Sequence, residues 1–219
     1  MSGHVADAGA AQEAAVQTVV VRLPDAGTTR AFGRALAAQL RAGDLVILTG
    51  DLGAGKTTLT QGIGAGLGVR GQVASPTFII AREHPALPRP DGTRGPDLVH
   101  VDAYRLGSLD EVEALDLESS LDEAVTVVEW GAGWVESLAT DRLEVALTRP
   151  RGAQQEQARP DEDDAAEDDG GGGERVATVR AVGERWADVP LAQVLDPAAA
   201  GLTAGDAAGA AGSAGPVAG

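Results

Sequence analysis

Cysteine is absent from the 219 residues, which excludes disulfide frameworks, thiolate metal sites and cysteine nucleophiles together. Histidine is scarce as well: His4, His84 and His100 are the whole set, which argues against a histidine-rich metal site. Aromatic residues make up only 3% of the chain, so the place of each ring carries information. No stretch of about 18 apolar residues occurs, and the opening MSGHVADAGAAQEAA has neither a basic flank nor an apolar run. Neither a membrane span nor a secretory signal is therefore expected, and the default location is cytoplasmic. Lysine is the scarcest of the charged residues: of 17 basic residues, 16 are arginine and one is lysine, Lys56. With a formal net charge of -16, the chain does not read as an autonomous binder of nucleic-acid backbones, which takes clustered Lys and Arg.

The acidity is local. Residues 156–174 hold nine acids against Arg159 alone, so half of the net charge belongs to them. That stretch has almost nothing to bury and runs into four consecutive glycines, so it cannot offset the entropy of ordering; residues 150–174 are expected to be a disordered insertion. Residues 1–16 and the Ala/Gly-rich residues 196–219 are expected to be disordered tails, the repeated Gly opposing the helical bias of Ala. One folded domain, residues 17–195, remains.

Inside it the pattern alternates. Residues 18–23 (TVVVRL) read as a strand, and residues 28–41 carry Phe32, Leu36 and Leu40 at helical spacing. Residues 44–49 (DLVILT) form a second buried strand, followed by a Gly-rich turn and a helix over 56–67. Short apolar strands are expected at 77–81, 98–101, 125–128, 143–147 and 176–182, with helical stretches near 109–121, 133–138 and 184–194. Near-continuous apolar strands between helices predict an α/β domain with a mostly parallel central sheet flanked by helices. The last two strands, joined across the acidic stretch, read as an antiparallel C-terminal pair, and the length of their connection costs little because closure entropy grows slowly.

The turn after DLVILT is Gly50-Asp51-Leu52-Gly53-Ala54-Gly55-Lys56-Thr57, an unbroken G-x-x-x-x-G-K-[ST] phosphate loop. Glycines let the backbone wrap an oxyanion, the amides and the following helix N-terminus point at phosphate, Lys56 reaches the terminal phosphates, and the Thr57 hydroxyl suits Mg²⁺. A plain Gly-rich turn is the competing reading in a chain this rich in Gly. Two observations oppose it: the motif lies between a strand and a helix, and the one lysine of the chain stands at the motif's lysine position. A compact ammonium fits a phosphate cradle where a planar guanidinium does not.

A phosphate loop that hydrolyses its ligand also needs a carboxylate at a neighbouring strand end, to hold the metal shell or position water. Asp102, after LVHV, and Glu129, after VTVV, both qualify, and spacing alone does not divide the roles. Ser75-Pro76-Thr77-Phe78 stands where such proteins carry a loop that senses the terminal phosphate, a simple Pro turn being the alternative. Of the few rings, Phe78, Tyr104 and Trp130 lie in or beside these segments; Trp130 could stack on a base or merely fill a core.

A P-D-x-x-T segment (Pro24, Asp25, Thr28/Thr29), GDLGAGKTT, SPTF, H-x-D-x-Y-R-L (His100, Asp102, Tyr104, Arg105, Leu106) and VEW (Val128, Glu129, Trp130) follow in an order that resembles the TsaE (YjeE) family. These are small bacterial P-loop ATPases of tRNA threonylcarbamoyladenosine biosynthesis. The resemblance covers roughly residues 18–190; the acidic stretch and the tails depart from it. It implies ATP and Mg²⁺ as ligands and TsaD and TsaB as partners, with tRNA met only indirectly through that complex and no membrane association. It implies an accessory ATPase rather than the threonylcarbamoyl transferase, serving adenosine modification in tRNAs that read ANN codons. Carried over by position, Gly53, Ala54, Gly55, Lys56, Thr57 and Thr58 would hold the phosphates, and Thr57 and Glu129 the Mg²⁺. Trp130 would face the adenine, Thr29 would lie near the nucleotide, Thr77 would belong to a switch-like loop, and Asp102 would be a hydrolysis-critical acid.

Two other functions compete. A small-molecule or nucleoside kinase on the same scaffold would carry a basic lid, for which residues 84–97, with Arg89 and Arg94, are the candidate although they read as a hairpin loop. A nucleotide-dependent assembly factor would need binding without hydrolysis. Arg105 is the candidate arginine finger in cis, a surface salt bridge being the alternative.

Overall fold

The computed structural model describes residues 15–74, 81–106, 108, 111–112, 114–117, 121–150 and 173–195. Thr77, Phe78, the stretch 151–172 and both terminal segments expected to be tails lie outside the described residues, apart from Ala15 and Val16.

Seven strands make one sheet: β1 (Val16–Leu23), β2 (Leu45–Thr49), β3 (Ala81–His84), β4 (Asp97–Asp102), β5 (Ala124–Glu129), β6 (Arg142–Thr148) and β7 (Arg175–Val182). Their order is β1-β7-β6-β2-β5-β4-β3. The middle four, β6, β2, β5 and β4, run parallel, while β7 is antiparallel to β6 and to β1, and β3 is antiparallel to β4. The expected C-terminal pair is thus present with a difference: β6 belongs to the parallel block through its pairing with β2, and only β7 reverses.

Buried side chains alternate between the two faces, as a sheet covered on both sides requires. Val46, Leu48, Val125 and Val127 face α1 (Ala26–Ala37) and α2 (Lys56–Leu67), together with Phe32, Leu59, Ile63 and Trp186. Leu45, Ile47, Val101 and Val128 face the other way, onto Val112, Leu117 and Val135. Each fully buried Leu or Ile contributes about 1.5–3 kcal/mol of transfer free energy.

Local chemistry sets the ends of the helices. Asp25 caps α1, its carboxylate accepting from the Thr28 amide at 2.7 Å, which starts the helix two residues before the expected Thr28. Glycine ends α2: Gly68 adopts a left-handed φ of 74° as C-cap. Between the two helices Gly33 and Gly62 permit close approach, since a Cβ on Gly33 would collide with Leu59 O and one on Gly62 with Arg30 O. The single helix expected over 184–194 is instead a 3-10 turn, Glu184–Trp186, and a short α3 (Leu191–Val194). Pro190, which has no N–H to donate and holds its own φ fixed, separates them.

Candidate functional site

β2 ends at the centre of the sheet, and the parallel arrangement delivers the C-terminal ends of β4 and β5 to the same rim. There Gly50, Gly53 and Gly55 hold φ values of 140°, 71° and 104°, all left-handed. The loop they shape leads into α2 with no side-chain cap on Gly55, so the first-turn amides of the helix are not spent on a neighbouring side chain. A pocket of about 860 Å³ opens over this loop, with Lys56, Thr57, Asp102, Glu129 and Trp130 in its wall.

Lys56 is 5% exposed. Its Nζ donates to Gly50 O at 2.8 Å and Asp51 O at 3.0 Å, and lies 3.7 Å from the centre of the Trp130 ring. Burial pushes its pKa down from the usual lysine value, while Glu129, Asp102 and Asp51 oppose that shift. Trp130 achieves this position at a backbone φ of 62°, strained for a bulky residue and secured by its amide on Leu48 O at 2.9 Å. Tyr104 leans on the same ring, centroids 5.2 Å apart and planes tilted by 54°.

Strand register brings the two candidate acids side by side, Asp102 opposite Glu129, with Leu48 on the other flank of Glu129. Glu129 is 2% exposed and densely held. Thr57 Oγ1 donates to its Oε2 at 3.2 Å, and His100 Nε2 stands 2.8 Å from its Oε1. The Thr60 hydroxyl, which donates to Lys56 O at 3.0 Å, lies 3.5 Å from the same Oε1. Asp102 is more open, and its Oδ1 accepts from the Tyr104 amide at 3.1 Å. A hydroxyl and a carboxylate converging beside a lysine present hard oxygen donors of the kind Mg²⁺ takes, while the glycine cradle and bare helix N-terminus suit phosphate. Thr57 and Glu129 are the hydroxyl and carboxylate that would face such a metal. Among the described residues there is no cluster of three His, Cys, Asp or Glu that would hold a metal by protein alone.

Thr29 is fully buried in the first turn of α1, its hydroxyl donating to Asp25 O at 2.8 Å. It is the next residue, Arg30, that lines the pocket, with Nε on Gln61 Oε1 at 3.2 Å. Ala54 is buried beneath the loop, and Thr58 lines the wall. Arg105 is exposed in the turn after β4 and stands outside the pocket lining. The candidate lid is anchored at the end of the pocket far from Lys56: the Arg70 amide donates to Pro85 O and the Leu87 amide to Gly68 O, both at 2.8 Å, and Ala86 bridges to Val69 of the pocket wall. This fixes the 85–96 segment at the C-terminal end of α2, about 18 Å of helix away from Lys56.

Sequence reasoning missed Arg175. This residue is 0% exposed at the start of β7, its Nε donating to Ala54 O at 3.1 Å and its Nη1 to Gly173 O at 2.9 Å. It backs the phosphate loop so closely that a Cβ on Gly55 would meet its guanidinium. An arginine at an inward position of an alternating strand was the available signal. Thr60 and the role of His100 were missed too; His100 stood in a quoted motif, but only strand pairing shows what it reaches.

Residues 23–158 match the protein family described as threonylcarbamoyl adenosine biosynthesis protein TsaE. A Streptomyces coelicolor protein named tRNA threonylcarbamoyladenosine biosynthesis protein TsaE is 54% identical over 159 residues, covering 72% of this chain and 93% of that protein. The protein of the same name from Bacillus subtilis is 40% identical over 122 residues, covering 55% of this chain and 72% of its own. Among solved structures, the crystal structure of Bacillus subtilis YdiB superposes with a TM-score of 0.52 at 32% identity, covering 78% of this chain and 90% of that one.

Proposed function

The chain belongs to the TsaE family and so to threonylcarbamoyladenosine modification of tRNA, and from that premise we propose that it is a Mg²⁺-dependent, ATP-binding and weakly hydrolysing accessory protein acting with TsaD and TsaB. The observation that carries the reading is the meeting of Lys56, the Thr57 hydroxyl and the Glu129 carboxylate on a left-handed glycine loop.

In this reading the amides of Gly53 to Thr58 and the Lys56 ammonium bind the phosphate oxygens and draw off charge as the terminal bond weakens. Thr57 and Glu129 would hold the metal, which would neutralise phosphate charge when bound. Asp102, more open than Glu129, or Thr77 orients the attacking water. Thr29 would lie near the nucleotide without lining the pocket, a place its neighbour Arg30 takes. Trp130, whose ring lies over the Lys56 ammonium, would face the adenine. With no arginine finger assigned, the site is slow alone and quickens in the partner complex.

The test is ATP turnover with and without TsaD and TsaB, using γ-labelled ATP. Slow release of free phosphate that rises with the partners supports the proposal. Turnover equally fast without them removes the accessory role, and label in a small metabolite makes the protein a kinase.

A further inference from the structure

We propose that His100 is a positioning residue for Glu129: by donating from Nε2 to Oε1 it turns Oε2 toward Thr57 and the metal. This rests on the Mg²⁺-nucleotide reading above.

The placement follows from the sheet. His100 and Asp102 are two residues apart on β4 and share the face that Glu129 takes on β5, where Asp102 and Glu129 are register partners. His100 has no exposed surface, and its Nε2 lies 2.8 Å from Glu129 Oε1. Nδ1 has no hydrogen-bond partner among the described groups. A proton there would be a buried donor without an acceptor, so the proton resides on Nε2, where the carboxylate receives it. The two carboxylate oxygens are then divided: Oε1 is occupied by His100, with the Thr60 hydroxyl 3.5 Å away, and Oε2 is shared with Thr57.

A purely structural role does not account for this arrangement. An apolar side chain would fill a buried strand position beside Leu98 and Val127 without leaving Nδ1 unsatisfied. What an apolar side chain does not supply is a fixed donor to a buried carboxylate. Ligating carboxylates held by such outer hydrogen bonds lose about 10–100-fold in metal affinity when the support is removed.

The test compares His100→Asn and His100→Gln by ATP binding as MgCl2 is titrated, and again in EDTA. Gln carries its amide nitrogen as many bonds from Cα as Nε2 and replaces the donor; Asn falls short. The expectation is an Mg²⁺ midpoint raised about 10–100-fold in His100→Asn, largely restored in His100→Gln, with ATP affinity in EDTA unchanged in both. An unaltered midpoint in His100→Asn, or no restoration by Gln, overturns the proposal. Wild-type protein that binds no ATP in any MgCl2 concentration overturns the nucleotide reading itself, which is a distinct outcome. Long-range 1H-15N correlation on the wild-type histidines tests it without a variant: His100 protonated on Nε2 supports the proposal, and protonated on Nδ1 overturns it.

Discussion

The ammonium of Lys56 sits in an environment that opposes its charge, and that conflict is measurable. Replacing it with Met removes a buried cation and leaves Gly50 O and Asp51 O to solvent at the loop surface. ATP affinity is expected to fall about 10–100-fold, while stability holds or rises by about 1 kcal/mol, as calorimetric titration and thermal melts would read. The pH dependence follows from the sign of the shift. Burial lowers the folded-state pKa below the unfolded value, so the folded chain binds fewer protons as pH rises between the two. The cost of the charge is therefore full below the folded pKa and fades as pH rises through it, and the stability advantage of Lys56→Met shrinks with it. At this scale the sequence was most legible where chemistry demands a residue type: the lysine, the threonine after it and the two strand-end acids. Arg175 and His100 were not, because each reaches a partner more than 25 residues away in the chain that only the folded sheet brings within hydrogen-bond distance.

Helices and strands were legible where their signals are local. The apolar run of β2 and the glycine punctuation of α2 are written in a few consecutive residues, and the bounds of α2 match the expectation. Pairing is different, since a strand's own sequence does not say which neighbour it takes; hence β6 joins the parallel block and β1 closes on β7 unannounced. Two predictions belong here. Gly62→Ala forces a methyl against Arg30 O, so the α1–α2 contact must open, at about 1–3 kcal/mol in urea denaturation. Asp25→Ala removes the cap of α1 at about 1 kcal/mol. The Thr28 amide and hydroxyl hold the Asp25 carboxyl below its usual range, so its contribution is present above the unfolded pKa and lost as pH falls through the folded one. The difference between Asp25→Ala and wild type should accordingly vanish in acid.

For the molecule as a whole, β7 is the strand that ties the far edge of the sheet to the phosphate loop, through Arg175. The acidic stretch precedes that arginine in the chain. Replacing residues 151–172 with a short neutral linker is expected to leave ATP binding within about twofold, since closure entropy changes little with length. Arg175→Met, which unties Ala54 O, is expected to weaken ATP binding and cost about 1–3 kcal/mol of stability. Loss of binding on shortening the linker alone would assign the stretch a role that its composition does not suggest. The scarcity of lysine has a practical side. Across the whole chain one side-chain amine exists, and it stands in the wall of the pocket beneath an indole. Lysine-directed reagents and proteases thus have one side-chain target, and because the fold leaves that lysine 5% exposed, covalent labelling of its amine reports local opening of the loop.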